Sequence, residues 1–109
     1  MAQVKVKWPK AIKIGSLDFD LCFEEEVEVD GDTCWGAINT YNQKIEIWSE
    51  ASLQRQKETI IHETMHGIWG LFILSPKATE EEVCTKMAQG LMMVLRDNPK
   101  LAKILTEKE

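Results

Sequence analysis

The two histidines of this 109-residue chain stand four positions apart, in His62-Glu63-Thr64-Met65-His66. On a helix, side chains at that spacing lie one above the other on a single face. Two imidazoles so placed can hold one Zn²⁺ at roughly 2.0–2.1 Å each. The residue after the first histidine is a glutamate, which can act as general base on a water that the ion activates. The pattern HExxH therefore predicts a helix-borne zinc site, with His62 and His66 as ligands and Glu63 as the catalytic group.

A catalytic zinc site takes a third protein ligand and leaves one position open. No histidine remains, so a carboxylate or a thiolate must supply it. Glu80-Glu81-Glu82, at the start of the next predicted helix, is the best source. At about 100° per residue, Glu80 lies at the centre of the face made by Val83, Cys84, Met87 and Leu91. Glu81 lies at its edge, near Cys84, Ala88 and Leu95, while Glu82 points away. Glu81 is the expected ligand, Glu80 the alternative and Cys84 a lesser one. The site closes only if the motif helix ends near Gly67 to Gly70. An unbroken helix to Leu74 would leave the glutamates beside Phe72, away from His66.

The elements that must position these groups fall into two halves. The first half alternates apolar and polar residues, the pattern of half-buried strands. Ala11 to Ile14 and Leu17 to Phe23 are separated by Gly15-Ser16, with Leu17, Phe19, Leu21 and Phe23 on one face. Val27 to Val29 continues the pattern up to the turn signal Asp30-Gly31-Asp32. Cys34 to Thr40 and Lys44 to Trp48 form a hairpin around Tyr41-Asn42-Gln43. The second half is helical. Ser49 or Ser52 caps a helix running through Ile60, Ile61, Met65, Ile68 and Trp69, which Gly67 and Gly70 weaken at its end. Leu71 to Ala78 is a connection. Thr79 caps the next helix, with Glu82 completing a capping box, and Val83, Met87, Leu91, Val94 and Leu95 keep helical spacing to Arg96. Asn98-Pro99 starts a last helix to about Lys108. The predicted fold is α+β: an N-terminal antiparallel sheet with a hairpin, then the HExxH helix and a packed C-terminal helix.

A chain of this length suits one domain, residues 1–109, with a modest core. Net charge is −5 with scattered Lys and Arg, which argues against a nucleic-acid surface. No stretch reaches the roughly 20 apolar residues that a membrane span needs. Met1 to Lys10 is polar and lacks the apolar core of a signal peptide, so a cytoplasmic location is expected. Cys22, Cys34 and Cys84 are odd in number, without CxxC spacing, and read as free thiols in small buried apolar positions. Lys44 to Trp48 packs Ile45 and Ile47 on the helix and, as an edge strand, can hold an extended substrate by strand addition. Trp35, beside Gly36, can line a cleft. Glu24-Glu25-Glu26 reads as a solvated turn or edge. The sole tyrosine, Tyr41, falls in a turn, so no oxyanion-stabilising side chain stands out.

A hairpin, a helix bearing HExxH and a following helix with an acidic start resemble the minimal zincin core. More narrowly, Trp35 to Leu105 resembles small, often prophage-borne relatives of the ImmA/IrrE-type metallopeptidases. The shared features are the ETxxHExxH segment, Glu58 to His66, and a later EExV…VLRDNP pattern, Glu81-Glu82-Val83 and Val94 to Pro99. The interval Gly67 to Thr79 is shorter than in larger members. The resemblance implies a zinc-dependent peptidase of gluzincin type, with His62, His66 and a helix-borne glutamate on the metal and Glu63 as general base. Its partner would be a peptide or protein substrate. Two other readings stand beside it: a non-enzymatic zincin-fold phage or mobile-element protein that binds a partner, and a zinc hydrolase of non-peptide substrates.

Overall fold

The computed structural model describes residues 5–73 and 75–108; the N-terminal segment before Lys5 and Leu74 in the predicted connection lie outside them. Six strands precede three helices: β1 (Ala11–Ile14), β2 (Leu17–Glu24), β3 (Glu28–Val29), β4 (Asp32–Thr33), β5 (Gly36–Asn39), β6 (Lys44–Trp48), α1 (Leu53–Ile68), α2 (Glu80–Asp97) and α3 (Pro99–Thr106). The domain is α+β, with a mixed four-stranded sheet in the order β1-β2-β6-β5 and a separate β3-β4 ribbon.

Local turn chemistry sets the hairpins. Ile14 pairs with Leu17, leaving Gly15-Ser16 as the loop, and Gly15 takes φ +63°, as the first position of a primed turn requires. Val29 pairs with Asp32 around Asp30-Gly31, both at positive φ, the conformation that Asp-Gly favours. The β5–β6 turn is held by Asn39 Oδ1, which accepts from the N–H groups of Tyr41 and Asn42 at 2.9 and 3.2 Å.

The expected all-antiparallel sheet is corrected at one seam: β2 and β6 run parallel, from Asp20 opposite Lys44 to Glu24 opposite Trp48. The reason lies in the composition of the last hairpin. Either of its strands can reach the free side of β2. The one with two side chains at 0% exposure, Ile45 and Ile47, takes the interior place, and the shorter, weaker Gly-Ala-Ile-Asn strand is left outside. Strands flanked on both sides favour such apolar runs. The strand Lys44 to Trp48 is therefore not an edge, and β5 takes that role.

Phe19 and Leu21 are buried on one face of the sheet together with Ile12, Ile14, Ile45 and Ile47, as the alternation predicts. Ile60 and Ile68 of α1, Val94 of α2 and Leu101 of α3 close the core above them. α1 crosses the sheet over β5, β6 and β1, and α2 covers β1. The two sheet edges are treated differently. The outward N–H and C=O of Lys13 on β1 are both taken by the Asn98 side chain at 2.8 Å, which also donates to the Val94 carbonyl. One amide thus imitates a neighbouring strand and blunts that edge. Among the described residues, no strand pairs with the outer side of β5. Cys84 is exposed and Cys22 and Cys34 are half-buried, so the expectation of three buried thiols is corrected. All three are free.

Candidate metal centre

The motif helix starts where Ser52 Oγ accepts the Arg55 N–H at 3.2 Å, so Ser52, not Ser49, is its cap. Ile60, Glu63, Thr64, Gly67 and Ile68 form its buried side, while His62 and His66 are exposed. Gly67 does not break the helix. A Cβ there would stand 2.9 Å from Ile14 Cδ1 and 3.0 Å from Ile38 Cδ1, so the missing side chain lets α1 lie flat on the sheet one residue past His66. The helical path also continues beyond Ile68 as a π turn, Trp69–Ile73. The expected ending near Gly67 to Gly70 is thus a change of helical pitch and not a break.

The two imidazoles converge. Their Nε2 atoms are 3.2 Å apart, with ring centroids at 4.8 Å and planes at 76°. A tetrahedral ion about 2.05 Å from each nitrogen separates the pair by about 3.3 Å, so the spacing of the two nitrogens suits zinc. An Nε2–H···Nε2 hydrogen bond serves the metal-free rings at the same spacing. Glu63 reaches this pair from the buried side. It is 7% exposed, and its Oε2 lies 3.9 Å from His62 Nε2. Burial raises the Glu63 pKa above its ordinary 4.5, opposed by the charges of His62 and His66. A carboxyl so placed favours taking up a proton, as a general base must.

The edge strand positions Glu63. A Cβ on Gly36 would fall 2.5 Å from Thr59 Cγ2, 2.9 Å from the Glu46 carbonyl oxygen and 3.4 Å from Glu63 Cγ. Strand and helix therefore meet with no side chain between them, and Glu63 lies directly over the start of β5. The edge strand beside Glu63 is thus β5, one hairpin arm earlier than the expected Lys44 to Trp48, and its signal in the sequence is the small residue beside Trp35.

The third ligand is not brought in. Thr79 Oγ1 accepts the Glu82 N–H at 3.1 Å and caps α2 as expected, leaving Glu80 and Glu81 exposed in its first turn. α2 meets α1 where Gly90 packs on Ile68; a Cβ at Gly90 would be 2.4 Å from Ile68 Cγ2. From Glu80 to that crossing is about 15 Å of helix. Among the described residues, no three His, Cys, Asp or Glu side chains converge as a metal site. The structure therefore gathers His62, His66 and Glu63 and leaves Glu80, Glu81 and Cys84 apart from them. Tyr41 stands in the β5–β6 turn, 98% exposed. No helix of the described residues is long and apolar enough to cross a membrane. No family model matches the chain, and no curated protein or solved structure matches it significantly.

Proposed function

We propose that the chain is a zinc-dependent metallopeptidase that hydrolyses peptide bonds. The observation that carries this reading is the convergence of two exposed imidazole nitrogens at 3.2 Å above a buried carboxylate. Zinc, when bound, would polarise the scissile carbonyl of the substrate and lower the pKa of a water toward neutrality. Glu63 would take a proton from the attacking water and pass it to the leaving amine, its raised pKa favouring the uptake. His62 and His66, both on the exposed side of α1, would hold the ion. The outer side of β5 offers backbone groups to an extended substrate.

Glu81 is the proposed third ligand, with Glu80 as the alternative. Either reaches the histidine pair only if the first turn of α2 swings toward α1, so Glu81→Gln and Glu80→Gln are to be compared for zinc affinity. The decisive variant is Glu63→Gln. It is expected to keep about one zinc per chain, as one site demands, and to lose about 10²–10⁴-fold in peptide cleavage, the range for a lost general base. Metal analysis that finds no zinc, with none taken up on titration, would falsify the reading. A second reading, a non-enzymatic binding protein, draws on the exposed Trp35 and on Leu91, Met92 and Leu95 of α2, also exposed. It predicts that Glu63→Gln changes nothing.

A further inference from the structure

We propose that the groove at the start of β5 is a side-chain pocket for a basic residue, lysine or arginine, of an extended peptide. Its place as a substrate subsite rests on the peptidase reading; its binding chemistry does not. The groove has a volume of about 770 Å³ and is lined by Glu25, Glu26, Val27, Thr33, Cys34, Trp35 and Trp48. That is ample for one long side chain, since whole ligand pockets span about 300–1,000 Å³.

Position links the groove to the metal centre. Trp35 immediately precedes Gly36, the residue whose backbone lies against Glu63. The Trp48 N–H donates to the Trp35 carbonyl at 2.9 Å, which sets the phase of the β5–β6 ladder. By the alternation of antiparallel pairs, Gly36 and Ile38 then turn their N–H and C=O groups outward. A peptide paired there passes Glu63 and runs on toward Trp35 at about 3.3 Å per residue. The groove thus receives a side chain one or two positions from the bond under attack.

The lining selects the occupant. Its two indoles have centroids 5.5 Å apart at 51°, apolar walls for a methylene stem. Trp35 is 48% exposed, so its ring is open to a ligand. Two lining residues are carboxylates and none is basic, so an anionic side chain is repelled and a cationic one is drawn in. The indole already shows this preference within the chain: the Arg55 guanidinium stacks 4.7 Å over the Trp35 ring, yet Arg55 is not part of the groove lining. Cation–π attraction of this kind works for arginine and lysine alike. The walls are also fixed in advance. Trp48 Nε1 donates to the Glu25 carbonyl at 2.9 Å, and the Cys34 N–H and thiol both donate to the Val27 carbonyl. Long basic side chains bind best to surfaces that need no reordering.

The test uses the whole 109-residue chain, zinc-loaded, as the Glu63→Gln variant, so that binding is read without turnover. Three blocked hexa-alanine peptides carry one lysine, leucine or glutamate at the fourth position. The lysine peptide is expected to bind about tenfold more tightly than the leucine peptide, the scale of one partly desolvated cation–π contact, and the glutamate peptide more weakly than either. Saturation should shift the indole N–H resonances of Trp35 and Trp48 and leave those of Trp8 and Trp69 in place. In the double variant Glu25→Gln/Glu26→Gln, lysine and leucine peptides should bind within about twofold of each other. Both glutamates are exposed, and Glu25 holds Trp48 through its carbonyl, so the fold survives. Equal binding of lysine and leucine, a preference that persists in the double variant, or resonance shifts elsewhere overturns the proposal. A lysine preference in the variant, with a wild-type protein that takes up zinc but cleaves nothing, upholds the pocket and sinks the peptidase. Cleavage with no basic preference does the reverse.

Discussion

At the scale of single residues, the motif helix carries two side chains whose burial works against the fold. Glu63 is buried as a carboxyl with a raised pKa. The native, metal-free chain holds that proton at pH values where the unfolded chain has released it, so the contribution to stability is complete below about 4.5 and is lost as pH rises through the raised native value. Glu63→Gln cannot ionise. Its denaturation midpoint relative to the metal-free wild type should therefore climb as pH rises from 4.5 toward neutrality; parallel curves would show that burial does not penalise the charge. Its neighbour Thr64 has a buried hydroxyl with no hydrogen-bond partner among the described residues. Thr64→Val keeps the shape and removes the unpaired group, whose desolvation costs about 1–3 kcal/mol. Urea unfolding should show the variant more stable by about 1 kcal/mol, and a loss of stability would mean that Oγ1 finds a partner in solution. Both residues lie between His62 and His66 in the chain.

At the scale of elements, the hairpins and helices were legible because their signals are local. Gly15-Ser16, Asp30-Gly31, Ser52 and Thr79 each fix a turn or a cap through their own backbone conformation or hydroxyl. The parallel seam was not legible. It depends on whether β5 or β6 wins the free side of β2, a contest settled by the burial of Ile45 and Ile47 and invisible in either strand alone. Gly67 misled for a related reason: a glycine that ends a helix and one that lets a helix touch a sheet look alike in sequence. Gly36 puts the same principle to a test. In Gly36→Ala the new methyl meets Thr59 Cγ2 and the Glu46 carbonyl. The second is backbone of β6 and cannot turn aside, so β5 must shift against β6 as well as α1, at a cost of about 1–3 kcal/mol. A denaturant midpoint unchanged from wild type would refute that close approach.

At the scale of the whole molecule, zinc and folding are coupled if the metal binds only the native pair. At free zinc about 100 times the dissociation constant, the gain is about 2.7 kcal/mol. For a domain near this size that corresponds to a melting temperature roughly 10–20 °C higher, reversed by a chelator and absent in His66→Ala. A melting temperature that zinc does not move counts against the site. The convergence of His62 and His66 could be read from spacing alone, because one turn of helix fixes it. The distance of Glu80 and Glu81 from that pair could not, because it depends on where α2 crosses α1, and the Gly90–Ile68 contact sets that crossing far along the helix. The turn at Asp30-Gly31 gives the seam between β2 and β6 a further meaning. A protease nick there would leave the histidine pair, Glu63 and β5 on one fragment. The groove walls would be divided, with Glu25, Glu26 and Val27 on one piece and Thr33, Cys34, Trp35 and Trp48 on the other. In such a clipped molecule the two groove walls would be held together by noncovalent contacts alone, among them the five residue pairs of the parallel ladder, the β3–β4 ribbon, the Trp48 and Cys34 bonds to the carbonyls of Glu25 and Val27 and the Asn98 clasp on Lys13.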